Sequence, residues 1–210
     1  MQQDITFYTN PFSRGGIVHW MLEEVGVPYK VENLAYGDAM KTPDYLAINP
    51  MGKVPAIKHG SVVVTEAAAI CAYLADAFPE AKLAPPTTER GDYYRWLFFV
   101  SGPWEASFGL RSCGIEMTPE QELELGCGRP ERVLDVLAAA VRDREFIAGE
   151  RFSAADVYVG SHIGWGMQFG TIDPRPEFKQ YWQRLEQRPA HQRSLQQTEA
   201  AMPDFPVPGQ

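Results

Sequence analysis

Three short stretches of this sequence place polar groups where they can act on a ligand. The first is the turn Tyr8-Thr9-Asn10-Pro11-Phe12-Ser13-Arg14, which separates a β-prone run from a helical one. A hydroxyl at a helix amino-terminus sits in positive potential and can hold an anion such as a thiolate. A free thiol has a pKa of about 8.5, so keeping one ionised at neutral pH takes about 2.7 kcal/mol. A hydrogen bond to a charged acceptor supplies about 1.5–3 kcal/mol, and a helix terminus about 0.3–1 more. Ser13 suits that role, and it equally suits capping its own helix. The second stretch is Asn49-Pro50-Met51-Gly52-Lys53-Val54-Pro55-Ala56-Ile57. Proline has no N–H for a ladder, so Pro55 at the opening of a strand fits an edge strand, a cis bond or a plain turn. In the first two cases Val54 presents main-chain groups that can pair with an extended peptide. The third is Thr65-Glu66-Ala67 ahead of a helix. Glu66 can pair with an ammonium or simply complement the helix dipole, and the N–H of Ala67 can receive a carboxylate. Together the three describe a site for a zwitterionic peptide whose thiol lies at a helix amino-terminus.

The elements that must position these groups are legible in the periodicity. Ile5-Thr6-Phe7-Tyr8 alternates as a strand, and Val18, Met21, Leu22 and Val25 then recur at helical spacing until Gly26 and Pro28. Tyr29-Lys30-Val31-Glu32 reads as a second strand, parallel to the first because a helix connects them. After a polar segment with a Thr42-Pro43 helix start come the strands around Pro55 and Val62-Val63-Val64. A helix from Glu66 follows, with Ile70, Tyr73, Leu74 and Ala77 on one face. The spacer Ala84-Pro85-Pro86-Thr87-Thr88 marks a change of composition, beyond which strand signals almost vanish. Helices are expected over 93–108, from Thr118-Pro119, over 130–144, after the capping box Ser153-Ala154-Ala155-Asp156, and last over 177–187, stopped by Arg188-Pro189. The expected organisation is α/β plus all-α: a domain over 1–82, a linker over 83–91 and a helical domain over 92–210.

Composition excludes several classes. A net charge of -8 over 210 residues opposes a nucleic-acid partner, since that affinity rests on phosphate neutralisation. No apolar run is long enough to span a bilayer, and Met1-Gln2-Gln3-Asp4 has no leader character. Cys71, Cys113 and Cys127 are odd in number and widely spaced, and the four histidines are scattered. A cytoplasmic setting with neither disulfides nor a metal site follows as the expectation.

Four of these segments, in this order and spacing, resemble the cytosolic glutathione transferase superfamily over nearly the whole chain. They are Phe7-Tyr8 to Arg14 with Trp20-Met21-Leu22-Glu23-Glu24, the Asn49–Pro55 segment, which is similar to the family's cis-proline loop and implies a cis Val54–Pro55 bond, Thr65–Leu74, and Phe152–Asp156. The resemblance implies a thioredoxin-like domain that binds glutathione as co-substrate, a helical domain that shapes an electrophile pocket, and a homodimer. It implies that Val54 pairs with the cysteinyl backbone of glutathione, Glu66 with its γ-glutamyl amine and Ala67 N–H with its carboxylate, with Lys41 and Lys53 near the glycyl carboxylate. Ser13 is the expected thiolate-stabilising hydroxyl, with Tyr8, Thr9 and Asn10 in reserve. Phe12, Trp104, Phe108 and Arg111 are expected to face a small apolar electrophile, whereas Trp165 and Phe169 are expected in the core. The implied activity is conjugation; a disulfide or peroxide reductase and a non-catalytic protein-binding module are the alternatives. Ala67 departs from the family's usual Ser, and Gly15-Gly16 reads as a slack first helical turn.

Overall fold

Alternation in Ile5–Thr9 buries Ile5, Phe7 and Thr9 on one face, which fixes this run as strand β1 and its register. In the computed structural model, which describes residues 4–207, β1 is followed by α1 (Gly15–Val25) and by β2 (Tyr29–Asn33), parallel to β1. The first three residues, which begin the Met1–Asp4 stretch read above for leader character, and the last three lie outside the described residues. Helix α2 (Pro43–Leu46), capped by Thr42, leads to β3 (Ala56–His59), β4 (Val62–Thr65) and α3 (Ala67–Ala77). The sheet order is β2-β1-β3-β4, with β3 antiparallel to both neighbours.

One expectation is corrected here. Pro55 belongs to no edge strand: it immediately precedes β3, an interior strand, and β2 and β4 are the edges. A proline is tolerated there because it stands just outside the ladder that begins at Ala56. The Val54–Pro55 bond is cis.

The chain forms two compact units, Met1–Leu83 with Glu186–Gln210, and Ala84–Leu185. The second unit is helical: α4 (Gly91–Phe99), a π-helical segment (Val100–Trp104), α5 (Glu105–Ser112), α6 (Pro119–Glu124), α7 (Pro130–Val141), α8 (Ala154–Gln168) and α9 (Pro176–Glu186). The run expected as one helix over 93–108 is thus interrupted by the π turn that carries Pro103, since a proline inside a helix removes a hydrogen bond. α8 is buried on nearly every side. Glycines let α9 approach it: a Cβ at Gly160 would lie 2.5 Å from Leu185 Cδ1, and one at Gly164 2.5 Å from the Trp182 indole. The capping box ahead of α8 is present, and Asp156 does more than cap. Its fully buried carboxylate accepts from Ile147 N–H at 2.8 Å, Ser153 N–H at 2.9 Å and Tyr181 hydroxyl at 2.7 Å. Burial pushes Asp156 up to about 6, against the pull of these donors.

Sequence reading ends the helices at Arg188-Pro189, yet Pro189 opens a further one, α10 (Pro189–Ala201). A proline that stops one helix is well suited to the first turn of the next. α10 packs on α1 within the first unit, and polar contacts fasten the pair. Arg188 grips Glu24 with bonds of 2.6 and 2.8 Å, Arg193 reaches Glu23 at 2.7 Å, and the buried His19 contacts Thr198 Oγ1 at 2.9 Å and Gln197 Oε1 at 2.7 Å. Past α10, a single 3-10 turn covers Met202–Asp204.

Candidate glutathione site

Register brings the three polar stretches together. Tyr8 on β1, Ala56 on β3 and Thr65 on β4 are successive partners across three adjacent strands. β1 ends there, antiparallel β3 begins there, and β4 ends there. The turn after Tyr8, the Val54-Pro55 loop and Glu66-Ala67 therefore leave the sheet at one end. β2 ends there too, with Asn33 beside Thr9.

The first turn is tightly made. Asn10, 1 % exposed, donates from Nδ2 to the Leu34 carbonyl at 2.8 Å and accepts from Phe12 N–H at 3.0 Å. Its amide is spent on closing the turn. The Ser13 hydroxyl donates to the Asn10 carbonyl at 2.7 Å and accepts from Gly15 N–H at 2.9 Å. Ser13 therefore makes a two-residue turn rather than the expected cap; Arg14 is the capping residue of α1, with no side-chain cap bond. Gly15 is not slack either. A Cβ there would lie 1.8 Å from Thr9 Oγ1 and 2.9 Å from Ser13 Oγ, so only glycine lets α1 start against β1. Half-buried Ser13 and Phe12 remain accessible, while Thr9 is buried. Tyr8 points to the opposite face of β1 from Phe7, its ring 5.7 Å from that of Tyr45.

The proline loop is braced from behind. Tyr45 hydroxyl and Asn49 Nδ2 both donate to the Lys53 carbonyl, at 2.6 and 2.8 Å. Burial pushes the Tyr45 phenol up to about 12, so it stays a donor at neutral pH. Lys41 donates from Nζ to the carbonyls of Met51 at 3.0 Å and Gly52 at 3.2 Å, which makes it a fastener of the loop. Lys53 is exposed, Pro55 is buried and Val54 lies between. Among the described residues, no hydrogen bond uses the main-chain N–H or carbonyl of Val54. At the third stretch, Glu66 is exposed and takes φ 67° and ψ 118°. A positive φ is strained for a non-glycine residue, typically by about 1–3 kcal/mol, and such strain clusters at functional sites. Ala67 opens α3, where main-chain N–H groups have no partner within the helix.

Sequence reasoning missed Tyr36, Tyr45 and Asn49. Tyr36 hydroxyl donates to the Phe12 carbonyl at 3.2 Å, and burial raises its pKa. The parallel β1–β2 reading was the available signal, because it sends the chain after Asn33 to the end of the sheet where β1 stops. Nothing in the sequence marks Tyr45 or Asn49.

In the second unit, the buried Trp104 ring stacks on Phe108 at 4.4 Å, and the Arg111 guanidinium lies 4.3 Å from the Phe108 centroid. Arg111 also donates to the Thr171 carbonyl. Trp165 is half-buried, and Phe169, expected in the core, is 71 % exposed. It stands one residue past α8, where the buried surround of that helix has ended. Among the described residues no group of three or more His, Cys, Asp or Glu side chains could hold a metal ion. No helix among the described residues is long and apolar enough to cross a membrane.

A four-stranded sheet of this order with a cis-proline loop before β3, followed by a helical unit, is the architecture of the glutathione transferase fold, with a thioredoxin-like first domain. The glutathione S-transferase N-terminal domain profile matches residues 11–77 and the C-terminal domain profile residues 104–189. The structure is similar to a glutathione transferase family member from Pseudomonas fluorescens solved with two glutathione bound. Identity is 30 %, the TM-score is 0.72, and the match covers 91 % of this chain and 92 % of that one. It is also similar to the theta class glutathione S-transferase of Xanthomonas axonopodis with glutathione bound, at 30 % identity and TM-score 0.71 over 93 % and 98 % of the two chains. The glutathione S-transferase GstA of Escherichia coli is 29 % identical over 81 % of this chain and 84 % of its own length. This chain belongs to the glutathione S-transferase family.

Proposed function

We propose that the protein is a glutathione-conjugating transferase whose first unit holds glutathione at the end of the sheet where β1, β3 and β4 meet. The convergence of Ser13, Val54 and Glu66 at that end carries the reading. A tripeptide laid along Val54 pairs its cysteinyl N–H and carbonyl with the main chain there, as an added strand would. Its γ-glutamyl ammonium meets Glu66, and its α-carboxylate meets the N–H groups at the start of α3. Strain at Glu66 fits this role, because backbone outliers of this kind cluster at functional sites. Lys53, exposed on the loop, is assigned to the glycyl carboxylate. Lys41 serves that end through the loop carbonyls it fastens.

In this reading the sulfur lies beside the Tyr8–Ser13 turn. Ser13 is the assigned donor: its hydroxyl leaves the Asn10 carbonyl and turns to the thiolate, exchanging a neutral acceptor for a charged one, which is the stronger bond. The thiol proton passes to solvent, the sulfur lone pair forms the new bond to an electrophilic carbon, and the leaving group departs with the electrons of the bond that breaks. Trp104, Phe108 and Arg111 are assigned to the electrophile on the strength of their stack, which offers a flat apolar face ending in a cation. Phe12, half-exposed on the turn, shares that assignment. Homodimerisation and a cytoplasmic setting belong to the same proposal.

The test is the ultraviolet absorbance of the thiolate in enzyme-bound glutathione, titrated with pH. Ser13→Ala is expected to raise the bound thiol pKa by about one unit or more, the equivalent of one charge-assisted bond. An unchanged value would remove Ser13 from the role.

A further inference from the structure

The hydroxyl assigned to the sulfur has a neighbour to which the conjugation mechanism gives no task. β2 ends at Asn33, and the chain beyond it is tied to the first turn twice. Leu34 N–H donates to the Thr9 carbonyl at 2.8 Å, and Asn10 Nδ2 donates to the Leu34 carbonyl at 2.8 Å. From this anchored segment the Tyr36 side chain reaches back over the turn. Its hydroxyl donates to the Phe12 carbonyl at 3.2 Å, and its oxygen lies within hydrogen-bonding reach of the Ser13 hydroxyl. Burial raises the pKa of the phenol, against the pull of Ser13 and the Arg14 guanidinium, so at neutral pH Tyr36 keeps a proton to donate.

The two hydroxyls are held unequally. Ser13 donates to the Asn10 carbonyl at 2.7 Å, an ordinary O–H···O length, and accepts from Gly15 N–H at 2.9 Å. A hydroxyl oxygen carries two lone pairs, so Ser13 Oγ has one left for a second donor. Tyr36 holds Phe12 more loosely, at a length beyond the usual range of about 2.5–3.0 Å. With both hydrogens directed at carbonyls, none lies between the two side-chain oxygens. Turning Ser13 towards a thiolate does not orphan the Asn10 carbonyl, which keeps the Ser13 N–H at 3.0 Å. Tyr36 is 46 % exposed, so its hydroxyl turns without displacing the core.

We propose that Tyr36 is a positioning residue for the thiolate donor: as the Ser13 hydroxyl turns to the sulfur, the Tyr36 phenol turns from the Phe12 carbonyl to the second lone pair of Ser13 Oγ. This rests on the assignment of Ser13 to the sulfur. Hydrogen bonds in a chain polarise one another, so a serine that accepts from Tyr36 donates more strongly. With Gly15 N–H and the phenol on its two lone pairs, Ser13 Oγ also has a single direction left for its own hydrogen.

The test is the pH titration of the thiolate absorbance at saturating glutathione in the wild type, Tyr36→Phe, Ser13→Ala and the double variant. Tyr36→Phe keeps the ring and loses only the hydroxyl. It is expected to raise the bound thiol pKa by about half a unit, the size of one neutral hydrogen bond. In the Ser13→Ala background the same change should move the pKa by less than about 0.2 unit, because the phenol acts through the serine. If Ser13→Ala raises the pKa and Tyr36→Phe does not, the role of Tyr36 is overturned and that of Ser13 stands. An equal shift in both backgrounds overturns it too, since the phenol then acts without Ser13. An unchanged pKa in Ser13→Ala overturns the Ser13 assignment, and this inference with it.

Discussion

Replacing Gly15 by alanine separates two accounts of the turn that carries Ser13. If the glycine were only a weak helix residue, alanine at the first position of α1 would stabilise the protein by about 1 kcal/mol. The structure says otherwise. The new methyl would sit 1.8 Å from Thr9 Oγ1 and 3.0 Å from Thr9 Cβ, far inside contact distance. Thr9 is 5 % exposed on β1, so its side chain has little room to turn away. Overpacking of this kind typically costs about 1–3 kcal/mol, which exceeds the propensity gain and leaves Gly15→Ala net destabilised by up to about 2 kcal/mol. Because Ser13 Oγ would also lie 2.9 Å from the methyl, and accepts from Gly15 N–H, the hydroxyl should shift and glutathione affinity fall. Thr9→Ala removes the nearest obstacle, so the double variant should recover a good part of the loss. Urea unfolding of the wild type, both single variants and the double gives the coupling free energy, expected at about 0.5–3 kcal/mol in the rescuing direction. A neutral or stabilised Gly15→Ala, or additivity within about 0.3–0.5 kcal/mol, would refute the close-approach argument.

Asp156→Ala leaves the N–H groups of Ile147 and Ser153 and the hydroxyl of Tyr181 without their shared acceptor inside the helical unit. A loss of about 3 kcal/mol or more is expected, and chemical unfolding with an effect below about 1 kcal/mol would count against that role. Acidification should also act on the α1–α10 contact. Burial lowers the pKa of His19 and of His191 from 6.5, so below that value the unfolded chain takes up protons first and stability falls with pH. Asp156 works in the opposite sense, since its raised value favours the folded state as pH falls from about 6 towards 3.8. The descent just below pH 6.5 should therefore become shallower in His19→Gln, measured as unfolding free energy against pH; a superimposable profile would contradict it.

Much of this fold is written in short-range patterns. Alternation in Ile5–Tyr8, the helical spacing of Val18 to Leu22, and the capping boxes at Thr118 and Ser153 each reflect local chemistry, and each element appears where that chemistry places it. What escaped depends on partners distant in sequence. Pro55 looked like an edge because the sequence does not say that β1 and β4 flank β3. Pro189 looked like a stop because the surface that makes α10 worth forming lies on α1, at Glu23, Glu24 and His19. Gly15 looked loose because the group that demands it, Thr9 Oγ1, approaches only after the turn has closed. The same limit holds at the site. Ser13, Val54, Glu66 and Ala67 carry local signals in their turn, loop and helix start. Tyr36, Tyr45 and Asn49 act through single bonds to main-chain carbonyls, which composition and spacing do not register.

The central claim is that Val54, Glu66 and the start of α3 form one peptide-binding site at the shared end of β1, β3 and β4. Calorimetric titration with glutathione, comparing wild type with Glu66→Ala, tests it most directly. The predicted result is saturable binding at one site per chain, weakened about tenfold or more when the carboxylate is removed. Absence of binding at millimolar glutathione, or an affinity indifferent to Glu66, would contradict it.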